Sequence, residues 1–178
     1  MRWPLIRCVL VALLLLVMPQ SSFAVGSELL QNFRLPVRVA TDAASMALNR
    51  CTDLGAAVTV SVVDSGGQLQ VMLHGDGAAP HTTQLSRHKA YTAVSLAALQ
   101  GFDTTSELAD SMRRSGSGID TLPLPADAID GITPVSGGVV LRTDSGDLIG
   151  GIGVSGARSS KLDEQCALAA RDLLDRGS

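Results

Sequence analysis

The sequence predicts an α+β fold built on an antiparallel sheet. Two observations carry this. Short β-branched runs recur in pairs across Gly- and Asp-rich turns, which makes neighbouring strands antiparallel hairpins. Helical spacings fall before, between and after those pairs instead of alternating with single strands, so the pattern is not that of a doubly wound parallel sheet.

The chain opens on a segment outside that fold. Arg2 and Arg7 head an unbroken apolar run of eleven residues, Cys8–Met18. Pro19 breaks the run, and Ser22-Phe23-Ala24 offers small residues at the cleavage-determining positions. This is the build of a secretory signal peptide cut after Ala24. Crossing the hydrocarbon core needs about 20 apolar residues, so a membrane anchor is disfavoured. Cys8 lacks the small-residue pattern of a lipoprotein site. The expectation is a periplasmic or secreted domain of 154 residues, 25–178, with no membrane attachment after cleavage. Losing Arg2 and Arg7 moves the formal charge from −3 to −5, which argues against nucleic acid as a partner.

In the mature chain, Val39, Ala43, Met46, Ala47 and Arg50 share helical spacing within Leu35–Leu54, and Gly55 stops that helix. Ala57–Asp64 alternates as a strand, Asp64-Ser65-Gly66-Gly67 turns, and Gln68–His74 returns. After the Gly75–Ala79 loop, Pro80 suits the first turn of a helix reaching about Leu99. Thr104 or Thr105 caps a shorter helix to Arg114. Ser115–Asp130 is rich in Gly, Pro and Asp and reads as a long loop, whose length points to function or mobility. Ile132–Val135 is a candidate short strand, Val139–Thr143 and Leu148–Val154 form a hairpin across Asp144–Asp147, and Ser160–Asp175 is a final helix with a Ser160/Asp163 capping box. Four or five strands result. Cys51 and Cys166 fall on the first and last helices. An oxidising compartment favours a disulfide between them, closing a loop of about 115 residues worth about 4 to 5 kcal/mol; free thiols or a metal pair are the other readings.

Gly151-Ile-Gly153-Val-Ser-Gly156 matches G-x-G-x-x-G between a strand and a helix. A dinucleotide site needs a further strand with an acid about 20 residues on, and the sequence given has no such strand after this helix. The glycines read instead as close packing of strand, turn and helix. Ser155, Gly156 and the helix start remain a candidate anion cradle.

Several segments then act together: Val58-Thr-Val-Ser-Val-Val-Asp-Ser-Gly-Gly67, Asp76-Gly-Ala78 with Pro80-His-Thr82, Arg87-His-Lys-Ala-Tyr-Thr-Ala93, Gly137-Gly138, and Ile149-Gly-Gly-Ile-Gly-Val-Ser-Gly156 with Asp163-Glu-Gln-Cys-Ala167. In order and spacing they resemble the GlcG/HbpS-like family, which includes the C-terminal domain of PduO-type proteins, over nearly the whole mature chain. The resemblance implies a profilin-like α/β/α sandwich around a five-stranded antiparallel sheet, homo-oligomers, and haem as the bound group in several members. Some members are described as haem-degrading, and others are linked to corrinoid or glycolate metabolism. The chain departs from the pattern at Gly137-Gly138-Val139-Val140, where many members have proline after the third residue. Its first helix has no histidine, so the axial ligand attributed to some PduO-type domains does not carry over.

His81 is the first candidate for a haem-iron ligand, at the helix start beside Asp76 and Gly77; the alternative is that it caps or packs the helix N-terminus. His88 lies two turns along the same helix, about 10.5 Å away, too far to share one ion. It reads as part of a solvated or subunit-contact face, and His74 as a polar edge residue. Met46, Met72 and Met112 are more often core filler than ligands. Arg87 and Lys89 are candidates to neutralise a propionate, against a plain reading as surface charge. Tyr91 is a ligand contact or a helix anchor. Gly137, Gly138, Ser155 and Gly156 complete the candidate pocket. Asp163 and Glu164 suit the first turn of the last helix through the macrodipole. No nucleophile–base–orienter set assembles, and Ser155 does not sit in G-x-S-x-G. The resulting expectation is a small-ligand-binding protein that takes haem or a related tetrapyrrole. The alternatives are an enzyme or accessory factor acting on a small organic acid, and an oligomeric interaction module without ligand.

Overall fold

Alanine at helical spacing sets the first layer of the computed structural model, which describes residues 33–114 and 129–174, all within one compact unit. Helix α1 (Val37–Asp53) buries Ala40, Ala43, Ala44, Ala47 and Cys51 on one stripe. It ends as expected: Gly55 takes a positive φ of 72° and Ala56 N–H donates back to Cys51 O at 2.9 Å, closing a Schellman-type cap. The expected signal peptide and most of the 115–130 loop lie outside the described residues.

Strand β1 (Thr59–Asp64) pairs antiparallel with β2 (Leu69–His74) on one side and with β4 (Leu148–Ser155) on the other. Strand β3 (Gly138–Arg142) pairs antiparallel with β4, giving the order β2-β1-β4-β3. Helices α1 and α4 (Ser160–Leu174) pack on each other and on one face of the sheet. Val58, Val60, Val62, Val139, Leu141, Ile152 and Val154 form the core beneath them. The other face carries α2 (Thr82–Thr92), a π-helical turn at Ala93–Ala97, and α3 (Thr105–Arg114). The result is an α/β/α sandwich. Cys51 and Cys166 are disulfide-bonded, Cα to Cα 5.5 Å, tying α1 to α4 as read from the sequence.

The described sheet has four strands, not the five that the resemblance implied. Ile132–Val135 forms no strand because its backbone groups are spent elsewhere. Pro134 has no N–H to give a ladder. Val135 N–H turns back to Thr133 O at 2.8 Å, and Thr133 N–H goes to Thr92 Oγ1 at 2.8 Å. The edge of β3 is met instead by the chain entering α3, through Val140 N–H to Asp103 O at 2.8 Å and a bridge between Thr104 and Val139. The final helix also starts differently from expectation. Ser159 Oγ accepts from Leu162 N–H, so the cap is one residue earlier, and Asp163 turns inward rather than boxing Ser160.

Candidate functional site

Helix α2 lies unusually close to the sheet because β4 offers it no side chains. A Cβ on Gly153 would come within 2.1 Å of Ser86 O, and one on Gly151 within 2.7 Å of Val94 Cγ1. Gly151 and Gly153 therefore serve packing, against α2 and the π-helical turn rather than the helix that follows them in sequence, while Gly156 lies against Ala57 and Val58. Hydroxyl pairs fill the neighbouring contact with β1: Thr59 Oγ1 is 2.7 Å from Thr82 Oγ1, and Ser61 Oγ is 2.8 Å from Ser86 Oγ.

This close approach buries Lys89. Its side chain is 1% exposed, and its ammonium donates to Asp163 Oδ2 at 2.7 Å and to Val154 O at 2.9 Å. Burial pushes the Lys89 ammonium below the usual lysine range, opposed by its hydrogen bond to Asp163 and by the charges of Asp163 and Glu164. Asp163 Oδ1 also accepts from Ala157 N–H, and Glu164 accepts from Gly137 N–H and Ser106 Oγ. A Cβ on Gly137 would sit 2.8 Å from Lys89 Nζ, and one on Gly138 would sit 2.4 Å from Lys89 O. Lys89, Gly137, Gly138 and Asp163 thus meet, but as a closed network. The expectation of Lys89 as a propionate partner or a surface charge is corrected: its charge already has a buried counter-ion. Ser155, 2% exposed, is likewise inside the sheet and not on a rim.

Other candidates reach the surface at one end of the sandwich. A cleft of about 240 Å³ is lined by Gly77, Ala79, Gly156, Arg158 and Leu162 among others, and an adjoining one of about 400 Å³ by Asp76, Gly75 and Asn49. The two share Gly55, Ala56 and Ala57. Asp76, Gly77 and Gly156 are therefore brought together as the sequence reading placed them. His81 is exposed at the start of α2; its side chain makes no cap bond and it lines neither cleft. Arg87 is exposed on α2. Tyr91 packs flat between Gly67 and Gly131, whose built Cβ atoms would lie 2.7 and 3.1 Å from its ring. His74 is exposed at the end of β2, with Nδ1 2.7 Å from Thr59 Oγ1. No group of three His, Cys, Asp or Glu suited to hold a metal ion occurs among the described residues.

Sequence reasoning passed over Asp163 and Glu164 as partners, and Arg158 as a cleft residue. A signal for the first was present. Thr82, Ser86 and Ala90 form a small-residue stripe on α2 that includes Lys89, and Asp163 shares a face with Cys166, Ala167 and Ala170.

Residues 35–172 match the family described as "Haem degrading protein HbpS-like". Among solved structures, a double mutant of HbpS from Streptomyces reticuli is 36% identical, covering 84% of this chain and 92% of that one with a TM-score of 0.69. The PduOC:heme complex is 29% identical over 78% of this chain and 94% of that one, TM-score 0.65. Klebsiella pneumoniae protein ORFY is 25% identical over 85% and 97%, TM-score 0.71. No match was found among curated proteins.

Proposed function

Because the chain belongs to the HbpS-like family, we propose that it is an exported protein that binds haem or a closely related tetrapyrrole. The observation that carries this is the match over residues 35–172, seconded by the likeness to a domain solved with haem. The cleft at the end of the sandwich supplies part of what such a group asks. A haem brings four nitrogen ligands of its own and asks the protein for an axial donor, apolar surface and cations for its carboxylates. Ala57, Ala79 and Leu162 give the cleft apolar lining and exposed Arg158 gives it a cation, while the exposed His74 and His81 line neither cleft. The chemistry supplied on binding is that of the iron.

Export and self-association belong to the same proposal. The disulfide supports export, since such bonds persist in oxidising compartments. No helix among the described residues is long and apolar enough to cross a membrane. Titrating hemin into the purified protein is expected to shift the Soret band; no shift at about micromolar hemin, the range of ordinary ligand affinities, defeats the binding reading. Mass spectrometry of the secreted form is expected to find Val25 at its N-terminus, and an uncleaved chain defeats the export reading. Turnover of small carboxylates without any response to hemin favours the organic-acid alternative.

A further inference from the structure

A second, charged cleft lies at the other end of the sheet from the cleft lined by Gly77 and Arg158. It holds about 370 Å³ between Asp103, Val140, Arg142, Thr143, Asp144 and Arg171. Chain order fixes its place: Arg142 pairs with Leu148 at the start of β4, whereas Gly156 follows the end of that strand. Two cations from separate elements converge there on one carboxylate. Arg142 ends β3 and Arg171 lies in the last turn of α4, and their side chains are 31% and 32% exposed. Arg142 Nε stands 3.5 Å from Asp103 Oδ1, and Arg171 Nη1 stands 4.0 Å from Asp103 Oδ2. Charge-assisted N–H···O bonds close to about 2.7–2.9 Å, so Asp103 gathers both guanidiniums without bonding tightly to either. Its own backbone is anchored: the N–H donates to Glu107 Oε2 at 2.9 Å, and the carbonyl accepts from Val140 N–H at 2.8 Å. Each guanidinium carries five N–H donors. Among the described residues the pair makes one hydrogen bond, Arg142 Nη1 to Gly146 O at 3.2 Å. A second acid stands beside them. Asp144 is exposed on the β3–β4 turn, and its carboxylate makes no hydrogen bond or ion pair among the described residues.

We propose that this cleft binds a small zwitterion, an α-amino acid or a molecule built like one, with its carboxylate on Arg142 and Arg171 and its ammonium toward Asp103 and Asp144. The site is separate from the haem reading and does not rest on it. A plain anion would meet two acids as well as two cations, and a plain cation would meet the reverse. A guest that carries both charges satisfies both pairs at once. The spacing agrees: opposite charges in the cleft stand 3.5 and 4.0 Å apart, and an α-amino acid holds its own two on one carbon. The planar arginine fork meets both oxygens of a carboxylate in parallel, which sets the direction of the guest. Drawing two guanidiniums to about a third exposure also strengthens their field over that of a cation in open water. The volume falls at the lower end of small-molecule sites, about 300–1,000 Å³, and Val140, 1% exposed, is the one apolar side chain in the lining.

The test titrates L-alanine into the purified, nitrogen-labelled protein and follows it by NMR. Saturable shifts are expected at the amides of Asp103, Thr143 and Asp144 and at the Nε–H signals of Arg142 and Arg171, and none at Gly55 or Gly77 in the other cleft. Acetate and ethylamine each carry one of the two charges. Each is expected to bind about 10-fold more weakly or worse, because it forfeits the charge-assisted bonds of the missing end. Arg171→Gln is expected to weaken L-alanine by about 10-fold or more, and Arg171→Lys to recover part of the loss by keeping the charge without the fork. Asp144→Asn, on an exposed turn that the change leaves folded, is expected to weaken L-alanine while acetate binds at least as well as before. Acetate binding as tightly as L-alanine overturns the assignment. So does an affinity for L-alanine unchanged in both Arg171→Gln and Asp144→Asn, or the absence of any saturable shift.

Discussion

Lys89 is the residue on which the α2 face turns, because its charge is out of water and matched by Asp163. Removing one partner strands the other, so Lys89→Ala or Asp163→Ala is expected to cost about 3 to 5 kcal/mol in urea unfolding. Replacing both with apolar residues of similar volume, Lys89→Met with Asp163→Leu, is expected to restore most of that loss, because the desolvation cost of both ions disappears together. The pH response has a definite sign. Folding lowers the Lys89 pKa, so between that lowered value and the ordinary 10.5 the unfolded chain holds more protons than the folded one. Stability from this group is fully present above 10.5 and is lost as pH falls through the folded value. Urea midpoints taken between about pH 8 and about pH 10 are therefore expected to move in favour of the parent relative to Lys89→Met as pH rises.

At the scale of elements, two contacts are made almost without side chains. Helix α2 rests on Gly151 and Gly153, where even a methyl group meets backbone that cannot retreat. Gly153→Ala is expected to destabilise by about 3 kcal/mol or more, at the upper end of overpacking effects, whereas Gly146→Ala in the β3–β4 turn, with open space around it, suffers only from its positive φ. Thermal unfolding of the two variants side by side separates clash from backbone strain. Helices α1 and α4 meet through alanines and the Cys51–Cys166 bond. Reducing that bond is expected to remove about 4 to 5 kcal/mol by restoring freedom to the unfolded chain, read as a fall in Tm under reductant.

For the whole molecule, the order and type of the elements were legible because their periodicities are strong: Ala40–Cys51 repeats as a helix face, and Val58–Val63 as β-branched strand. The disulfide was legible from two cysteines on the first and last helices of a chain expected to be exported. The fifth strand was not, because Thr133–Val135 carries β-branched residues whose backbone is claimed by Thr92 and by a tight local turn, and pattern alone does not reveal that claim. The residues of the candidate cleft were legible in part. Asp76, Gly77 and Gly156 come to one end through loop positions that chain order already suggested. Lys89 was misread because Arg87, His88 and Lys89 look alike as a charge run, and only the helical phase tells which one points inward.

The covalent tie between residues 51 and 166 also governs how the molecule yields to force. Pulled by its ends, it extends only through the segments outside that loop, while 115 residues stay shielded. At about 3.4 Å per residue this conceals about 390 Å of contour length. A single-molecule trace is expected to gain that extension only once a reductant cuts the tether.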